Sequence, residues 1–180
     1  HDNILFFTNK GKVYQLRVWD LPEGTRISKG QAIVNLINID QNEMVTSALS
    51  YALKGEESKL YSNIVMATRK VTVKKSRLKE YENIRRNGLI AIKLESGDEL
   101  TWAKLSTGED QILMVSHEGK SIKFKESEVR PTGRDTMGVR GILIGGEDRI
   151  MSMEVIHKDS KNIDFIAIME KGIGKKTSVS

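Results

Sequence analysis

The stretch ILFFTNKGKVYQLRV (residues 4–18) joins an apolar run, a short polar turn and a basic segment with alternating apolar residues. The pattern recurs in weaker form as NIVMATRKVTVKKSRL (63–78), QILMVSHEGKSIKFKES (111–127) and DFIAIMEKGIGKKTSVS (164–180). Short runs rich in Val, Ile, Thr and aromatic residues, bounded by Gly and Asn, are typical of β-strands. Each copy therefore predicts a β-hairpin.

The turns of the four copies lie at Gly11, Val71, Gly119 and Gly172, and they are separated by 60, 48 and 53 residues. Short hairpin loops need a residue with positive φ, which glycine adopts without strain. A β-branched residue is strained there. The turn at Val71 is therefore predicted to have a different geometry from the glycine turns.

Two further elements follow each hairpin. The second reads RISKGQAIVNL (26–36), IRRNGLIAIKL (84–94) and RDTMGVRGILI (134–144), and the third reads MVTSALS (44–50), ELTWAKL (99–105) and RIMSMEVI (149–156). Four strands in a unit of about 50 residues are typical of a propeller-like blade. The predicted units span approximately 1–60, 61–108, 109–160 and a truncated 161–180, which gives an all-β chain of about three and a half blades in an incomplete ring. Residues 76–87 have a helical pattern and predict a surface connection with one helical turn.

The composition describes a soluble globular protein, with 38% hydrophobic and 29% charged residues among 180. No apolar run approaches the roughly 18–20 residues that span a bilayer, so no membrane association is expected. We expect no signal peptide either, because residues 1–7 have no basic segment. The net charge of +5 favours polyanion partners, and residues 69–93 carry nine Lys and Arg against two Glu.

Neither a metal site nor a catalytic constellation is evident. His1, His117 and His157 have no carboxylate or cysteine at ligand spacing, and the chain has no cysteine. The acidic pairs at 98–99 and 147–148 are expected to be solvated turn residues. We therefore expect no metal and no cofactor in this segment, and an enzyme that uses a central cavity is the weakest of the functional alternatives.

Three segments resemble the C-terminal domain of DNA gyrase A. HDNILFFTNKGKVYQLRVWDLPEG…KGQAIVNL (1–36) is similar to its opening blade, KFKESEVRPTGRDTMGVRGI (123–142) to its ESEVRPxGR…GVRGI segment, and EKGIGKKTSVS (170–180) to its ENGxGKRTPVxEY segment. The resemblance implies a β-pinwheel, a propeller-like disc of four-stranded blades that exchange strands with their neighbours. It also implies non-catalytic wrapping of duplex DNA on a basic outer rim, which supports supercoiling.

The same resemblance implies partners and a location. The partners are duplex DNA, the remainder of gyrase A and gyrase B in an ATP-dependent type IIA topoisomerase, a heterotetramer, and the location is the bacterial cytoplasm, associated with the nucleoid. A basic glycine-rich motif (QRRGGKG-like) precedes the stretch that matches residue 1 in gyrase, and it lies outside this sequence. If the segment is a truncated piece, gyrase is expected. If the motif is missing, the relative topoisomerase IV is favoured, and a propeller-like scaffold that binds protein is a further alternative.

Wrapping requires many phosphate contacts along a curved surface, and Lys, Arg and the backbone N–H groups of turns supply such contacts. Candidate contacts are the basic residues of the hairpins and of the loops before the second elements. They are Lys10, Lys12, Arg17, Arg26, Lys29, Arg69, Lys70, Lys74, Lys75, Arg77, Arg85, Arg86, Lys120, Lys123, Lys125, Arg130, Arg134, Arg140, Lys171, Lys175 and Lys176. For Arg130 and Arg134 an alternative stays open, in which buried hydrogen bonds brace the blade. Any single position also fits an ordinary solvated charge.

Overall fold

The computed structural model describes residues 2–52 and 56–179, with the backbone alone at position 57. Within these ranges the regular elements are strands and short 3-10 helices. The strands are β1 (Asp2–Thr8), β2 (Lys12–Arg17), β3 (Val45–Ala52), β4 (Asn63–Thr68), β5 (Thr72–Arg77), β6 (Leu89–Ile90), β7 (Leu100–Ser106), β8 (Gln111–Ser116), β9 (Ser121–Lys125), β10 (Val139–Arg140), β11 (Ile150–Ile156), β12 (Asp164–Ile168) and β13 (Gly174–Ser178). The 3-10 helices are Val18–Asp20, Ile33–Asn35, Glu56–Lys59, Leu78–Tyr81 and Glu126–Glu128.

The strands form four antiparallel sheets in an open arrangement. Their strand orders are β3-β1-β2-β6, β10-β5-β4-β7, β11-β8-β9 and β12-β13. Each sheet is built on one of the four predicted hairpins, and the third predicted element of each unit is β3, β7 or β11. The prediction of an all-β, propeller-like chain is therefore confirmed.

The fourth strand of a sheet comes from the following unit. The strand β6 pairs with β2 through Val13↔Leu89, and β10 pairs with β5 through Val73↔Val139. Just beyond each short strand, a backbone N–H bonds the carbonyl of the hairpin turn residue: Ala91 to Gly11 and Gly141 to Val71, both at 2.8 Å. The strand exchange that the resemblance implied is present at two successive junctions.

The second element of the first unit differs from its counterparts. Residues 26–36 contain no strand and instead include the 3-10 helix Ile33–Asn35, so the expectation of a strand there is wrong. A strand of two or three residues exists only while it is paired. Its counterparts pair with the preceding sheet, and no sheet precedes β1 among the described residues.

The apolar core lies between the sheets. One cluster joins Leu5 and Phe7 of the first sheet to Ile64 and Met66 of the second, all fully buried. The alternate residues of β4 point the other way, because side chains along a strand alternate between its faces. They join a second cluster between the second and third sheets, which includes Ile112 and Met114. Strands buried on both faces are apolar without interruption, which explains the unbroken apolar runs of the repeat.

The hairpin turns follow the predicted geometry. Gly11, Gly119 and Gly172 have φ of +74°, +83° and +76°, whereas Val71 lies outside the positive-φ region. The aspartate of each acidic pair bonds a hairpin tip, contrary to the expectation that it is only solvated, whereas Glu147 is exposed as expected. Asp98 accepts from the backbone N–H of Lys70 at 3.0 Å, and Asp148 accepts from that of Glu118 at 3.1 Å.

The connection at residues 76–87 contains the one helical turn that was predicted, Leu78–Tyr81. It is not a surface connection throughout, however. Leu78 is 8% exposed and Tyr81 is fully buried in the cluster between the first two sheets. The two apolar side chains of the helical pattern therefore anchor this connection to the core.

Replacing Gly138 with Ala is expected to destabilise the domain by about 1–3 kcal/mol, the usual range for overpacking. A Cβ at this position would lie 2.6 Å from Thr72 Cγ2 and 2.9 Å from the carbonyl carbon of Val73, so β10 could not approach β5. Gly30→Ala is the matched control, because Gly30 is the corresponding glycine of the first unit and has no atom within 4 Å of a Cβ. Urea unfolding of both variants measures the difference. Equal effects would show that the close approach is not needed.

Candidate nucleic-acid interface

The second strands of the four hairpins lie toward the outside of the sheets. The strand β3 packs against β7 and β7 against β11, so these strands form the inner edge of successive sheets. In the strand orders, β2, β5 and β9 lie on the opposite side of the first hairpin strands. We call β2, β5, β9 and β13 the outer strands. The basic hairpin segments therefore lie away from the inner strands, and the exchanged strands β6 and β10 pair with the far edges of β2 and β5.

Each of the first three outer strands ends in an exposed cation. Arg17, Arg77 and Lys125 occupy the same register position, opposite the first or second residue of the facing strand. Arg17 lies over the ring of Trp19, 5.4 Å from the ring centroid, and Trp19 is 67% exposed. Three equivalent exposed cations therefore repeat at the ends of three successive outer strands.

The hairpin tips carry a second set of exposed cations. They are Lys10, Lys70, Lys120 and Lys171. The Lys70 ammonium donates to the carbonyl of Ser96 at 2.8 Å. The expected contribution of backbone N–H groups fails at two tips, because the N–H groups of Lys70 and Glu118 are already bonded to Asp98 and Asp148. At those two residues, side chains rather than the backbone would have to meet a phosphate.

The loops and the exchanged strand β10 supply further exposed candidates, which are Arg26, Lys29, Arg85, Arg86, Arg130 and Arg140, and Lys175 is exposed on the outer strand β13. Arg134 is half-buried, and its backbone rather than its guanidinium makes the bracing bonds. Its N–H donates to Glu80 at 3.1 Å and its carbonyl accepts from Lys74. Arg130 is exposed, and the choice between DNA contact and bracing stays open at both positions.

Several candidate cations already have partners. Lys12 pairs with Asp40 and Glu43, Arg69 with Glu99 at 3.4 Å, and Lys176 with Asp164 at 2.7 Å. The side chains of these three cations are 32%, 55% and 69% exposed, and exposed ion pairs contribute only about 0–1 kcal/mol. A phosphate can therefore compete for them. Lys123 donates to the backbone carbonyl of Val179 at 2.7 Å.

Lys74 and Lys75 are not part of the exposed set, which corrects the sequence prediction at its densest cluster. They are 1% and 4% exposed. The Lys74 ammonium donates to the carbonyls of Ala91, at 2.7 Å, and Arg134, while that of Lys75 donates to the carbonyl of Glu126 and lies 3.5 Å from its carboxylate. Burial among carbonyls and a carboxylate removes both ammonium groups from the reach of DNA.

Comparisons with known proteins agree with this architecture. A family model described as the DNA gyrase C-terminal domain, beta-propeller, matches residues 2–51, 62–107 and 110–157. The chain belongs to this family. It is 42% identical to DNA gyrase A of Escherichia coli (strain K12) and 38% identical to that of Staphylococcus aureus (strain MRSA252), in each case over the whole chain. It spans about a fifth of the length of these relatives.

Solved structures show the same fold. A crystal structure of the C-terminal domain of DNA topoisomerase IV matches with a TM-score of 0.86 and 32% identity, over 99% of this chain and 54% of that one. A structure of the DNA gyrase A C-terminal domain matches with a TM-score of 0.78 and 23% identity, over 99% and 55%. The second likeness supports the fold alone, whereas the family assignment rests on the sequence.

The alternation of side chains along a strand already indicates that Lys74 and Lys75 do not both face the same surface. Adjacent residues of a strand point to opposite faces, so the two side chains cannot share one surface. What the sequence could not supply is the identity of their partners, which lie 17 to 60 residues away. The buried carboxylate of Glu126, which also accepts from Asn63 and Ser106 at 3.3 Å, was missed for the same reason.

The described residues also bear on metal binding and membrane crossing. No group of three or more His, Cys, Asp and Glu side chains there is arranged to hold a metal ion. No helix in the same ranges is long and apolar enough to cross a membrane. An open groove of about 1340 Å³ lies beside β2 in this gyrase-family domain, and its lining includes Arg17, Arg85 and Arg86.

The buried Lys74 predicts a pH-dependent stability. Burial lowers the pKa of Lys74 to about 8, from 10.5. Between these values the unfolded chain binds more protons than the folded one, so this group makes stability rise with pH and is least favourable below pH 8. Lys74→Met lacks the titrating group. Between roughly pH 7.5 and 9.5, the free energy of unfolding of the wild type should therefore increase by about 2 kcal/mol relative to that of the variant.

Urea unfolding of both proteins across this pH range measures the difference. The matched control is Lys79→Met, because Lys79 is exposed on the same connection. The difference in the free energy of unfolding between Lys79→Met and the wild type should not change with pH over this range. A flat difference for Lys74→Met as well would contradict the shifted titration.

Proposed function

We propose that this domain binds duplex DNA along its outer strands, without reading sequence, and wraps it as a non-catalytic part of DNA gyrase. The observation that carries the proposal is the repetition of exposed cations at one register position, Arg17, Arg77 and Lys125, on successive outer strands. A regular cationic series suits a backbone of regularly spaced phosphates. Arginine and lysine contacts to phosphate fix the position of a protein on DNA and carry no base information.

The energy balance also favours many weak contacts. Smooth bending of a short duplex costs on the order of 1–6 kcal/mol, so a wrap needs several phosphate contacts on each side of the bend. The exposed hairpin tips supply a cation from every sheet, and the strand ends supply one from each of the first three, which supports a series of contacts along successive sheets. In the whole enzyme, the partners would be the remainder of gyrase A together with gyrase B, in the bacterial cytoplasm.

A related candidate is recognition of DNA geometry as part of topoisomerase IV. The structural match to the topoisomerase IV C-terminal domain, at 32% identity over nearly the whole chain, favours it. Both candidates require duplex binding, and they differ in how strongly the DNA is wrapped. A protein-binding scaffold requires no DNA binding at all.

The wild type should bind unrelated duplexes with similar affinity and with a steep dependence on salt. The triple variant Arg17→Gln, Arg77→Gln and Lys125→Gln should reduce the slope of log affinity against log salt by about 2–3, since each phosphate contact contributes about 0.9. Fluorescence anisotropy with labelled duplexes, at salt concentrations from about 50 to about 200 mM, measures both quantities.

Lys104→Gln is the control, because Lys104 lies on the inner strand β7 and its slope should match the wild type. Wrapping is tested separately by sealing a nicked plasmid with DNA ligase in the presence of the domain. A change in linking number supports wrapping, and binding without such a change favours the topoisomerase IV candidate. Negligible affinity at about 50 mM salt would reject DNA binding and leave the scaffold.

A further inference from the structure

At one register position of the outer strands, a lysine side chain contacts the next unit, and this happens at two successive junctions between sheets. Lys75 and Lys123 each lie opposite the third residue of the facing hairpin strand, at Val65 and Leu113. The Lys75 ammonium donates to the carbonyl of Glu126 at 2.5 Å, and the Lys123 ammonium donates to the carbonyl of Val179 at 2.7 Å. The two bonds join equivalent positions, and the first is buried whereas the second is exposed.

The two acceptors are equivalent as well. Glu126 follows directly after the last residue of β9, and Val179 follows directly after the last residue of β13. Each acceptor residue is oriented by its own N–H, which bonds the carbonyl of the residue before the first hairpin strand, Asp110 or Ile163, at 2.9 Å. A lysine of one outer strand thus binds a fixed peptide at the end of the next outer strand.

The first junction departs from this arrangement. The corresponding residue is Gln15, which donates to the carbonyl of Glu82 at 3.4 Å and accepts from the N–H of Ile84 at 3.2 Å. At the second junction, the backbone N–H of Thr132 bonds the backbone carbonyl of Lys75, at 2.9 Å, whereas the N–H of Ile84 at the first junction bonds the side chain of Gln15. The open groove beside β2 lies at the junction that has glutamine in place of lysine.

We propose that Lys75 and Lys123 are positioning residues, inter-sheet clamps that fix the step from one sheet to the next and so set the curvature of the outer edge. This role replaces the DNA contact that the sequence suggested for both. Its consequence for DNA rests on the proposed function. The clamp itself is a property of the free protein and can be measured without DNA.

Lys123 is the position to test, because Lys75→Met would leave the buried carboxylate of Glu126 without its cation. Lys123→Met keeps the aliphatic chain and removes the donor. Hydrogen exchange of the free protein should show protection in β12 and β13 reduced by about three- to tenfold, as for the loss of one hydrogen bond. Lys123→Arg retains a donor and should restore protection. Lys125→Gln, on the same strand, should leave it unchanged.

Duplex binding then separates a clamp from a contact. With the clamp removed, the sheets must be ordered on binding, so affinity should fall by about three- to tenfold while the salt slope stays within error of the wild type. Lys125→Gln should instead lower the slope by about 0.9. Unchanged protection in Lys123→Met overturns the clamp, and a slope lowered by about one unit identifies Lys123 as a phosphate contact. If the wild type binds no duplex, the proposed function fails while hydrogen exchange still decides the clamp.

Discussion

The first strands of the first three hairpins, β1, β4 and β8, must bury both of their faces, and the arrangement of these three sheets follows from this constraint. Fully burying one large aliphatic or aromatic side chain is worth roughly 1.5–3 kcal/mol relative to exposure. A single sheet with Ile64, Val65, Met66 and Ala67 in one strand cannot obtain this burial energy alone, because both of its faces are apolar and each must pack against another part of the chain. Neighbouring sheets cover both faces of β4, so these two clusters lie between sheets, whereas one face of β1 is covered by the segment around Ile37.

Strand exchange adds a directional bond to this packing. The segment that carries Ile92 crosses to the preceding sheet, pairs for two residues as β6 and then buries Ile92 in the cluster between the sheets. Ile142 follows β10 into the next cluster in the same way. Val34 holds the corresponding place in the first unit and is 58% exposed. Burial of this side chain therefore depends on the acceptor sheet and not on the sequence of the donor.

This dependence explains which features could be predicted from the sequence. The hairpins, their glycine turns and the third strands depend on residues close in sequence, and they were predicted correctly. The failure at residues 26–36 concerns a strand whose existence is decided by a distant partner. The burial of Lys74 and Lys75 was missed because their acceptors, at Ala91, Glu126 and Arg134, belong to segments that only the folded arrangement brings together. The exposure of the strand ends and tips follows from the local pattern, whereas their contact with DNA stays a prediction.

One equivalent position shows why counting cations in a repeat overstates the charge of its surface. Tyr14, Lys74 and Ile122 occupy the same register position in the first three hairpins. The Tyr14 hydroxyl donates to Glu43 at 3.0 Å, the Lys74 ammonium donates to two carbonyls, and Ile122 packs against the cluster between the second and third sheets. The fold thus accepts a phenol, an ammonium or an aliphatic chain, provided that a distant segment supplies the right partner. A lysine there is part of the packing, whereas Arg17, Arg77 and Lys125 at the strand ends are exposed, so their charge is accessible to a ligand.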